Sequence, residues 1–490
     1  MKLQALAALC SIALVEAKAL TGEHAGVFGK HAIIRRQAHP TTSTPPTAAG
    51  SSTSGSSAST GTGTTANAPG TTTSAGAPVN TAPSTYDVNG IPPLSDITFG
   101  MPTGTTYAAA STVTPGTQPT TIPKAPVIPQ FTVNPADWPA MDKPPPTDSP
   151  QVQAWMQELN GHTIPDIAPT VDGTCAGDPA AAAQAEQRGW WSCGGWTRPT
   201  DIVDCPDKLT WGVSFDDGPA PYTQKLLNYM NTKDIKATFF VVGSRALEYP
   251  QLLIEEYMAG HEISVHTWAH PPLTSRTTEQ IVAELGWTRM IIQKVLGITP
   301  TTMRAPYGDI DDRVRAIALA MGLVPIQWTR APSGFTFDTN DWHVAGGTVT
   351  GVDQMAIFDT ILSNATIMDT GFIVLAHDLY EITVDLAIGY TLPAAINHNP
   401  PFQLKRIGEC NSIPMSNMYV ETNTNVTFPG PNATNATNPL PAIKAGSNTT
   451  GGSGSGAAAN GSGSSDATAV GFPVVGAVVA AGFAALGAML

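Results

Sequence analysis

The stretch Trp211–Pro219 reads WGVSFDDGP, and the fold prediction starts from it. Its first half alternates large apolar residues with smaller or polar ones, as expected for a half-buried β-strand. The strand leads into two adjacent carboxylates, Asp216 and Asp217, and Gly218-Pro219 then ends it. Because neighbouring strand residues point to opposite faces, we expect one carboxylate to hold a metal ion and the other to take a proton. Taken alone, these letters also fit an aspartate that caps a turn.

The composition indicates a globular body with polar appendages. The chain has 490 residues, of which 13% are charged, against about 25% in an average soluble protein. Its formal net charge is −14, and the sequence contains no Lys/Arg cluster. We therefore do not expect nucleic acid as a partner.

Both ends of the chain have the composition of targeting segments. Residues 1–19 combine a short charged start, an apolar run and a small-x-small site, which is typical of a secretory signal peptide. Residues 466–490 form an apolar tail after a Gly/Ser/Asn-rich spacer, a pattern that favours a GPI-attachment signal over a tail anchor. The anchor site is predicted near Asn460 to Ser465.

Composition shifts along the chain predict six regions. They are a signal peptide (1–19), a disordered Ser/Thr/Pro-rich region (20–147), an N-terminal extension (148–204), a folded domain (205–410), a glycosylated stalk (411–465) and the GPI tail (466–490). In the extension, the clustered tryptophans are expected to pack against the domain rather than to stack on sugar rings.

Because the chain is predicted to be secreted, its cysteines and sequons can be interpreted as disulfides and N-glycosylation sites. Four cysteines lie beyond the leader, an even number that suggests two disulfides with three possible connectivities. We favour Cys175–Cys193, and Cys205–Cys410, which would tie together the two ends of the folded domain. N-glycosylation sequons are found at Asn364, Asn425, Asn432, Asn435, Asn448 and Asn460.

Strands and helices alternate in the folded domain. The strands are predicted at 209–215, 237–242, 262–265, 301–303, 323–328, 371–375 and 403–407. The clearest helix follows Thr277, which has capping-box spacing to Gln280, and ends before Gly297; a second spans 311–321. Such alternation predicts an α/β fold with parallel strands, whose polar residues gather at the carboxyl ends.

Polar residues follow two further strands. His266 and His270 in SVHTWAH have i, i+4 spacing, which puts both on one side if a helical turn follows the strand, so both imidazoles could reach one ion. With a carboxylate they fit zinc or a similar divalent metal. In Arg304-Ala-Pro-Tyr307, Pro306 lacks a donor and stiffens the turn, and the Tyr307 amide could stabilise an oxyanion. Arg304 could keep a carboxylate ionised.

A last histidine, His377, ends the apolar run GFIVLAH. It is either a core residue or a general acid whose imidazole Asp341 could orient. Trp342 and Leu375 could form walls of a substrate cleft. His261, at the start of its strand, is predicted to be structural.

Taken in order, these motifs resemble carbohydrate esterase family 4, the polysaccharide deacetylases with a NodB-homology domain. The resemblance rests on SFDDGP, HTWAH, RAPY, DW and LAH, and it covers about residues 205–407. Ser214 stands where the family more often has Thr. With the targeting signals, the chain resembles the fungal chitin deacetylases of this family.

The resemblance implies a distorted (β/α) barrel and a role for each motif. Asp217, His266 and His270 would bind Zn²⁺ or Co²⁺. Asp216 would be the base, with Arg304 as its charge partner; the spacing alone does not separate Asp216 from Asp217. The remaining roles are the oxyanion amide of Tyr307 and the general acid His377, supported by Asp341. The implied activity is hydrolysis of chitin to chitosan and acetate, by a monomer secreted to the cell wall or GPI-anchored at the membrane.

Three alternatives stay open. The same chemistry could act on acetylated xylan or another acetylated glycan. A catalytically silent wall protein would keep the domain to bind chitin, but we would then expect a substituted motif residue, and none is substituted. An adhesin would place its function in the Ser/Thr-rich region.

Overall fold

The computed structural model describes residues 90–110 and 112–424, in which short parallel strands alternate with helices. The strands are β1 (Thr210–Gly212), β2 (Ser214–Asp216), β3 (Thr238–Val241), β4 (Glu262–Val265), β5 (Thr302–Met303), β6 (Val324–Pro325), β7 (Phe372–Ile373) and β8 (Gln403–Lys405). The predicted strands thus all form, most of them shortened at one or both ends.

The helices vary in length from a single turn to nineteen residues. They are α1 (Pro150–Met156), α2 (Pro179–Ala182), α3 (Ala185–Arg188), α4 (Thr223–Lys233), α5 (Gly243–Glu248), α6 (Pro250–Met258), α7 (Thr278–Leu296), α8 (Asp312–Ala320), α9 (Asp341–Ala345), α10 (Gly351–Ile367), α11 (Glu381–Leu386), α12 (Leu392–Ile396) and α13 (Ile407–Cys410). A π-helical turn, Ala387–Thr391, joins α11 to α12.

The strands form two parallel sheets. One has the order β2-β3-β4-β5-β6, and the other has the order β7-β1-β8. The predicted α/β fold with parallel strands is therefore confirmed. The predicted closure into a barrel is not confirmed, because β1 and β2, which are separated by Val213 alone, pair in different sheets. The C-terminal ends of the parallel strands β2–β6 are called the carboxyl edge of this sheet, and their N-terminal ends are called the amino edge.

Helix α7 forms as its sequence predicts. Thr277 and Gln280 make a reciprocal capping box, and Gly297 ends the helix in the left-handed conformation (φ 77°). The apolar stripe of α7, including Ile281, Leu285 and Ile292, is fully buried against the sheet. The second predicted helix is α8, and Asp311 caps it by accepting the Val314 N–H.

The prediction of disorder through residue 147 is wrong for residues 90–110 and 112–147. Ile97, Ile122 and Ile128 of this arm are almost fully buried. Near the end of the arm, Trp138 stacks on Trp268 with ring centroids 6.2 Å apart, and the Trp268 Nε1–H donates to the Ala140 carbonyl at 3.1 Å. Sparse apolar residues cannot form a core of their own, but they bury readily on a domain that is already folded.

The predicted stalk also begins too early. Residues 411–424 pack under the amino edge, where Met418 and Tyr419 are fully buried. The Thr301 N–H donates to the Met418 carbonyl at 3.0 Å, and the Ile263 N–H donates to the Tyr419 hydroxyl at 3.0 Å. The folded part of the chain therefore extends past the predicted boundary at residue 410.

Both favoured disulfides are present in the structure. Cys205 and Cys410 have their Cα atoms 5.4 Å apart and join the two ends of the predicted domain. Cys175 and Cys193 have their Cα atoms 5.6 Å apart, within the extension. Trp190 and Trp191 of the extension are buried, which confirms that they pack inside the fold rather than offer an exposed surface to sugar rings.

Several predictions fall on residues outside the described ranges: the signal peptide, residues 20–89, the sequons from Asn425 onward, the anchor site and the GPI tail. Asn364 lies in α10, and its side-chain amide donates to the Thr360 carbonyl at 2.9 Å. Among the helices of the described part, none has the length and apolar character that crossing a membrane requires.

Candidate active site

The end of β2 separates the two adjacent carboxylates. Asp216 is the last residue of the strand and is almost fully buried, and its Oδ1 lies 2.6 Å from Nη1 of Arg304. Asp217 has left-handed backbone (φ 81°), and its Oδ1 lies 3.1 Å from Nε2 of His270. The two carboxylates therefore have different nearest partners, although His266 Nε2 also lies 3.8 Å from Asp216 Oδ2. Asp217 lies just outside the strand, so its left-handed backbone rather than strand alternation sets its direction.

Asp217, His266 and His270 bring three potential ligand atoms to within 4.8 Å of one another. His266 follows β4, and its Nε2 lies 3.5 Å from Asp217 Oδ1. The Nδ1 of His266 lies 2.9 Å from the Arg304 carbonyl, which can only accept, so Nδ1 carries the proton and Nε2 keeps its lone pair. In the described part of the chain, this is the group of His, Cys, Asp and Glu residues that meets the spacing of a metal site.

The chemistry of these groups fits a divalent ion. Asp217 Oδ1 is buried, and no donor of the described residues is aligned with it in hydrogen-bond geometry, although both imidazoles are close. Burial alone raises the pKa of Asp217, but the charge of His270 and the contacts with both imidazoles bring this pKa well below its usual value. Two imidazoles and one ionised carboxylate are ligands that zinc and similar metals accept in catalytic sites.

Arg304 lies beneath Asp216 and is completely buried. Its Nη1 also donates to Ser214 Oγ at 3.1 Å, and Ser214 in turn donates to the Val374 carbonyl. The guanidinium carbon lies 3.9 Å from the centre of the Phe240 ring. Burial lowers the pKa of Arg304, an effect that the charge of Asp216 opposes. The pair thus places a fixed positive charge beside Asp216 in a region from which water is excluded.

Tyr307 occupies a turn beside the histidine pair. It has left-handed backbone (φ 61°) directly after Pro306, at the carboxyl end of β5. Its ring lies edge-on to His270, with the centroids 4.6 Å apart, and 37% of the residue is exposed. Non-glycine residues in this conformation cost about 1–3 kcal/mol each, and they cluster at functional sites. The turn therefore belongs to the wall of the same site.

His377 is held by Asp341 through two hydrogen bonds. The Asp341 carboxylate accepts from the His377 backbone N–H at 2.8 Å and lies 2.7 Å from the His377 Nδ1. A parallel bridge between residues 216 and 377 brings this histidine beside Asp216. Burial lowers the pKa of His377, but the charge of Asp341 and its hydrogen bond, with smaller effects of Asp217 and Asp216, raise this pKa to about 10. The ion pair with Asp341 therefore favours the protonated imidazole.

The predicted cleft walls also lie near His377. Trp342 follows Asp341 at the start of α9, and Leu375 is two residues before His377. Leu375 is buried, whereas Trp342 is partly exposed, and its Nε1–H lies 3.4 Å from Asp338 Oδ2. The structure thus brings every predicted site residue to the carboxyl side of the strands. His261, predicted to be structural, lies at the amino edge and is fully buried.

Two acidic residues near the site were not predicted from the sequence. Asp378 is fully buried next to His377 and accepts from Thr223 Oγ1 at 2.5 Å. Glu284 is fully buried in α7, beneath the turn that carries the two histidines. A signal for Glu284 was present, because this glutamate falls on the apolar stripe of α7 between Ile281 and Leu285. A carboxylate at such a position needs a partner.

Comparison with known proteins finds relatives of this chain. A family model described as polysaccharide deacetylase matches residues 204–326. Chitin deacetylase 1 of Cryptococcus neoformans var. grubii serotype A is 52% identical over 338 residues, which are 68% of this chain and 71% of that protein. The chitin deacetylase of Amylomyces rouxii is 35% identical over 207 residues, which are 41% of this chain and 47% of that protein.

A solved structure of the chitin deacetylase from Colletotrichum lindemuthianum aligns with 45% of this chain and 94% of its own, at 24% identity and a TM-score of 0.40. The family, by contrast, is established by the sequence match, which is high in identity and covers most of both chains. The chain belongs to the polysaccharide deacetylase family.

Proposed function

We propose that this protein is a metal-dependent chitin deacetylase, which hydrolyses N-acetyl groups of chitin to give chitosan and acetate. The observation that carries the proposal is that the two adjacent carboxylates have different nearest partners. Asp216 pairs with Arg304, and Asp217 faces two imidazoles. The choice of chitin is supported by the names of the relatives, above all the one that is 52% identical.

The proposed ligands are Asp217, His266 and His270, and the proposed ion is Zn²⁺ or Co²⁺. A bound divalent ion would supply Lewis acidity, which polarises the acetamido carbonyl and makes water a better nucleophile at neutral pH. The ligand assignment is supported by the clustering of the three ligand atoms and by the lone pair left on Nε2 of His266. Imidazole and carboxylate ligands suit both metals.

Asp216 is the proposed general base. It takes a proton from water as the water oxygen bonds to the acetamido carbon. The buried positive charge of Arg304, 2.6 Å away, favours the ionised carboxylate and fixes the orientation of its second oxygen. A positioned base of this kind contributes about 10²–10⁴ in rate.

Tyr307 and His377 are proposed to complete the hydrolysis. The Tyr307 backbone N–H donates to the oxygen that becomes negative as water adds to the carbonyl. When the bond between carbon and nitrogen breaks, His377 gives its proton to the departing glucosamine nitrogen. Asp341 keeps this imidazole protonated and oriented, and Trp342 and Leu375 form walls of the cleft.

We also propose that the protein is exported, GPI-anchored at the membrane or retained in the cell wall, and monomeric. Export is supported by the leader-like segment and by two disulfides, which persist in oxidising compartments. Anchoring rests on the apolar tail after its polar spacer. The distorted barrel remains part of the proposal, supported by the hydrogen bond from Thr329 N–H to the Ile373 carbonyl, which links the segment after β6 to β7.

The test is acetate release from chitin oligomers by the full-length chain, beside acetylated xylan. Asp216→Asn is expected to lower release by about 10²–10⁴. Asp201→Asn is the matched control, because it breaks another fully buried Asp–Arg pair, with Arg315 at 2.9 Å, away from the site. Release from xylan alone, or equal losses in the folded forms of both variants, would contradict the proposal.

A further inference from the structure

Glu284 binds the turn that carries both histidine ligands. Its Oε2 accepts the backbone N–H of Trp268 at 2.8 Å and that of Ala269 at 2.9 Å. These two residues lie between His266 and His270 in the sequence. Glu284 itself is fully buried in the longest described helix, α7, whose apolar stripe packs on the sheet. The carboxylate therefore connects a rigid element to the backbone between the two ligands.

The turn needs such support because its backbone is strained. Thr267 (φ 66°) and His270 (φ 58°) are both in the left-handed region, which non-glycine residues rarely adopt. Each such residue costs free energy and persists only when the surroundings fix it. The spacing of the two imidazoles depends on this conformation, since it makes the chain reverse between them.

The backbone carbonyls and amides of the turn bind partners on different sides. On one side, the first amides of α5 bind its carbonyls: Gly243 N–H donates to Thr267 at 2.9 Å, and Ser244 N–H donates to Trp268 at 3.2 Å. The His270 N–H donates to Thr267 Oγ1 at 3.1 Å. The consecutive amides of Trp268 and Ala269 both donate to Glu284. Without a carboxylate at that place, the buried Trp268 N–H and the partly buried Ala269 N–H would each lose their partner.

We propose that Glu284 is a positioning residue that holds His266 and His270 in the geometry a divalent ion requires. The inference rests on the proposed function only in so far as that function needs the metal site. Within the described residues, the hydrogen bonds of Glu284 go to backbone N–H groups of the turn, so its effect is expected first on metal affinity and only through it on acetate release. Groups that orient metal ligands typically contribute about 10–100-fold to affinity.

A purely structural role is the competing explanation, and the chain offers a matched control for it. Glu262 is also fully buried and also accepts a backbone N–H, from Gly408 at 3.0 Å, but it begins β4 at the amino edge. If burial and hydrogen bonding alone mattered, replacing either glutamate would have the same consequences. If the position of the glutamate matters, only replacement of Glu284 changes the affinity for the metal.

The experiment measures Zn²⁺ affinity by competition calorimetry and the visible spectrum of bound Co²⁺, using the full-length chain. Glu284→Leu is expected to weaken Zn²⁺ binding about 10–100-fold and to change the Co²⁺ spectrum. Glu284→Gln keeps an oxygen that can accept both amides, and it is expected to restore affinity to within about fivefold of wild type. Glu262→Leu is expected to lower the thermal midpoint while leaving both metal readouts unchanged.

Four outcomes would overturn the inference. The first is wild-type affinity and spectrum in folded Glu284→Leu, and the second is an equal loss of affinity in Glu262→Leu. If Glu284→Leu does not fold, Glu284→Asp is measured in its place, because its side chain is shorter by one methylene group. Wild-type Zn²⁺ affinity in Glu284→Asp is the third outcome. A wild-type chain that binds no metal would refute the metal site, and this inference with it. Metal binding without acetate release from chitin would refute the proposed function and leave the role of Glu284 standing.

Discussion

The two edges of the five-stranded sheet use buried carboxylates in different ways. At the amino edge, Glu262 accepts the N–H of Gly408 and so joins the start of β4 to the C-terminal segment. At the carboxyl edge, Glu284 accepts two amides of the turn between His266 and His270. Burial raises the pKa of each glutamate to about 7, against the opposing effect of the amides and a nearby arginine. The same chemical device thus supports packing at one edge and a candidate metal site at the other.

The two edges differ in how their left-handed residues are grouped. Asp217, Thr267, His270 and Tyr307 all have left-handed backbone and lie together around the candidate metal site, and each costs free energy. Left-handed residues at the amino edge include Asp234, which ends α4, and Ser412, in the well-packed segment that follows the Cys205–Cys410 disulfide and buries Met418 and Tyr419. We therefore expect changes at the amino edge to alter stability, and changes at the carboxyl edge to alter chemistry.

The largest expected effect on stability comes from the amino-edge disulfide. Replacing both Cys205 and Cys410 by serine is expected to lower the free energy of unfolding by about 2–5 kcal/mol, because the cross-link spans a sequence separation of 205 residues. Denaturant unfolding would measure this loss, with the Cys175/Cys193 double variant as the matched control. Loss of Zn²⁺ affinity with no change in unfolding midpoint would break the comparison between the edges.

A smaller, pH-dependent effect is expected at the carboxyl edge. Asp341 raises the pKa of His377, so Asp341→Asn should lower this pKa. A general acid must be protonated, and the alkaline limb of the pH–rate profile should therefore move to lower pH, with reduced kcat. Acetate release between about pH 6 and about pH 11 would show the shift, and Glu262→Gln should keep the wild-type profile. An unmoved alkaline limb in Asp341→Asn would contradict the assignment of His377.

The smallest effect concerns the pH dependence of stability at the amino edge. The pKa of Glu262 is raised from 4.5 to about 7, so its contribution is fully present below about pH 4.5 and is lost as the pH rises through about 7. Glu262→Gln does not titrate, so its stability relative to wild type should increase over this interval, by at most about 1.4 kcal/mol per pH unit. Urea midpoints at about pH 4.5 and about pH 8 would test this. Parallel pH dependence in both proteins would be the contrary result.

Local sequence patterns predicted the elements that they determine themselves. The capping box at Thr277 depends on neighbouring residues and forms as expected, and a strand ends at the predicted carboxylates, although the predicted strand is divided into β1 and β2. His266 and His270 do come to one place after a single strand, as predicted, but through a turn with left-handed backbone at Thr267 and His270 rather than through a helical turn. The local sequence therefore predicted the proximity of the two imidazoles but not the conformation that produces it.

Features that depend on distant contacts were missed. The arm over residues 90–110 and 112–147 has too few apolar residues for its sequence to indicate order. Its isoleucines are buried because they pack against the folded domain. Glu284 lies fourteen residues after His270, and nothing in the local sequence indicates that its carboxylate reaches back to residues 268 and 269. The single strand predicted at 209–215 was wrong for a related reason, since the chain pairs in two different sheets before and after Val213.

The most direct test of this account is acetate release from chitin oligomers after the metal has been removed and returned. The full-length chain would be stripped with a chelator and reloaded with Zn²⁺, beside Asp217→Asn at the carboxyl edge and Glu262→Gln at the amino edge. We predict that wild type and Glu262→Gln lose activity with the metal and regain it with Zn²⁺, and that Asp217→Asn does not regain it. Release that resists the chelator, or that persists in Asp217→Asn, would contradict the account.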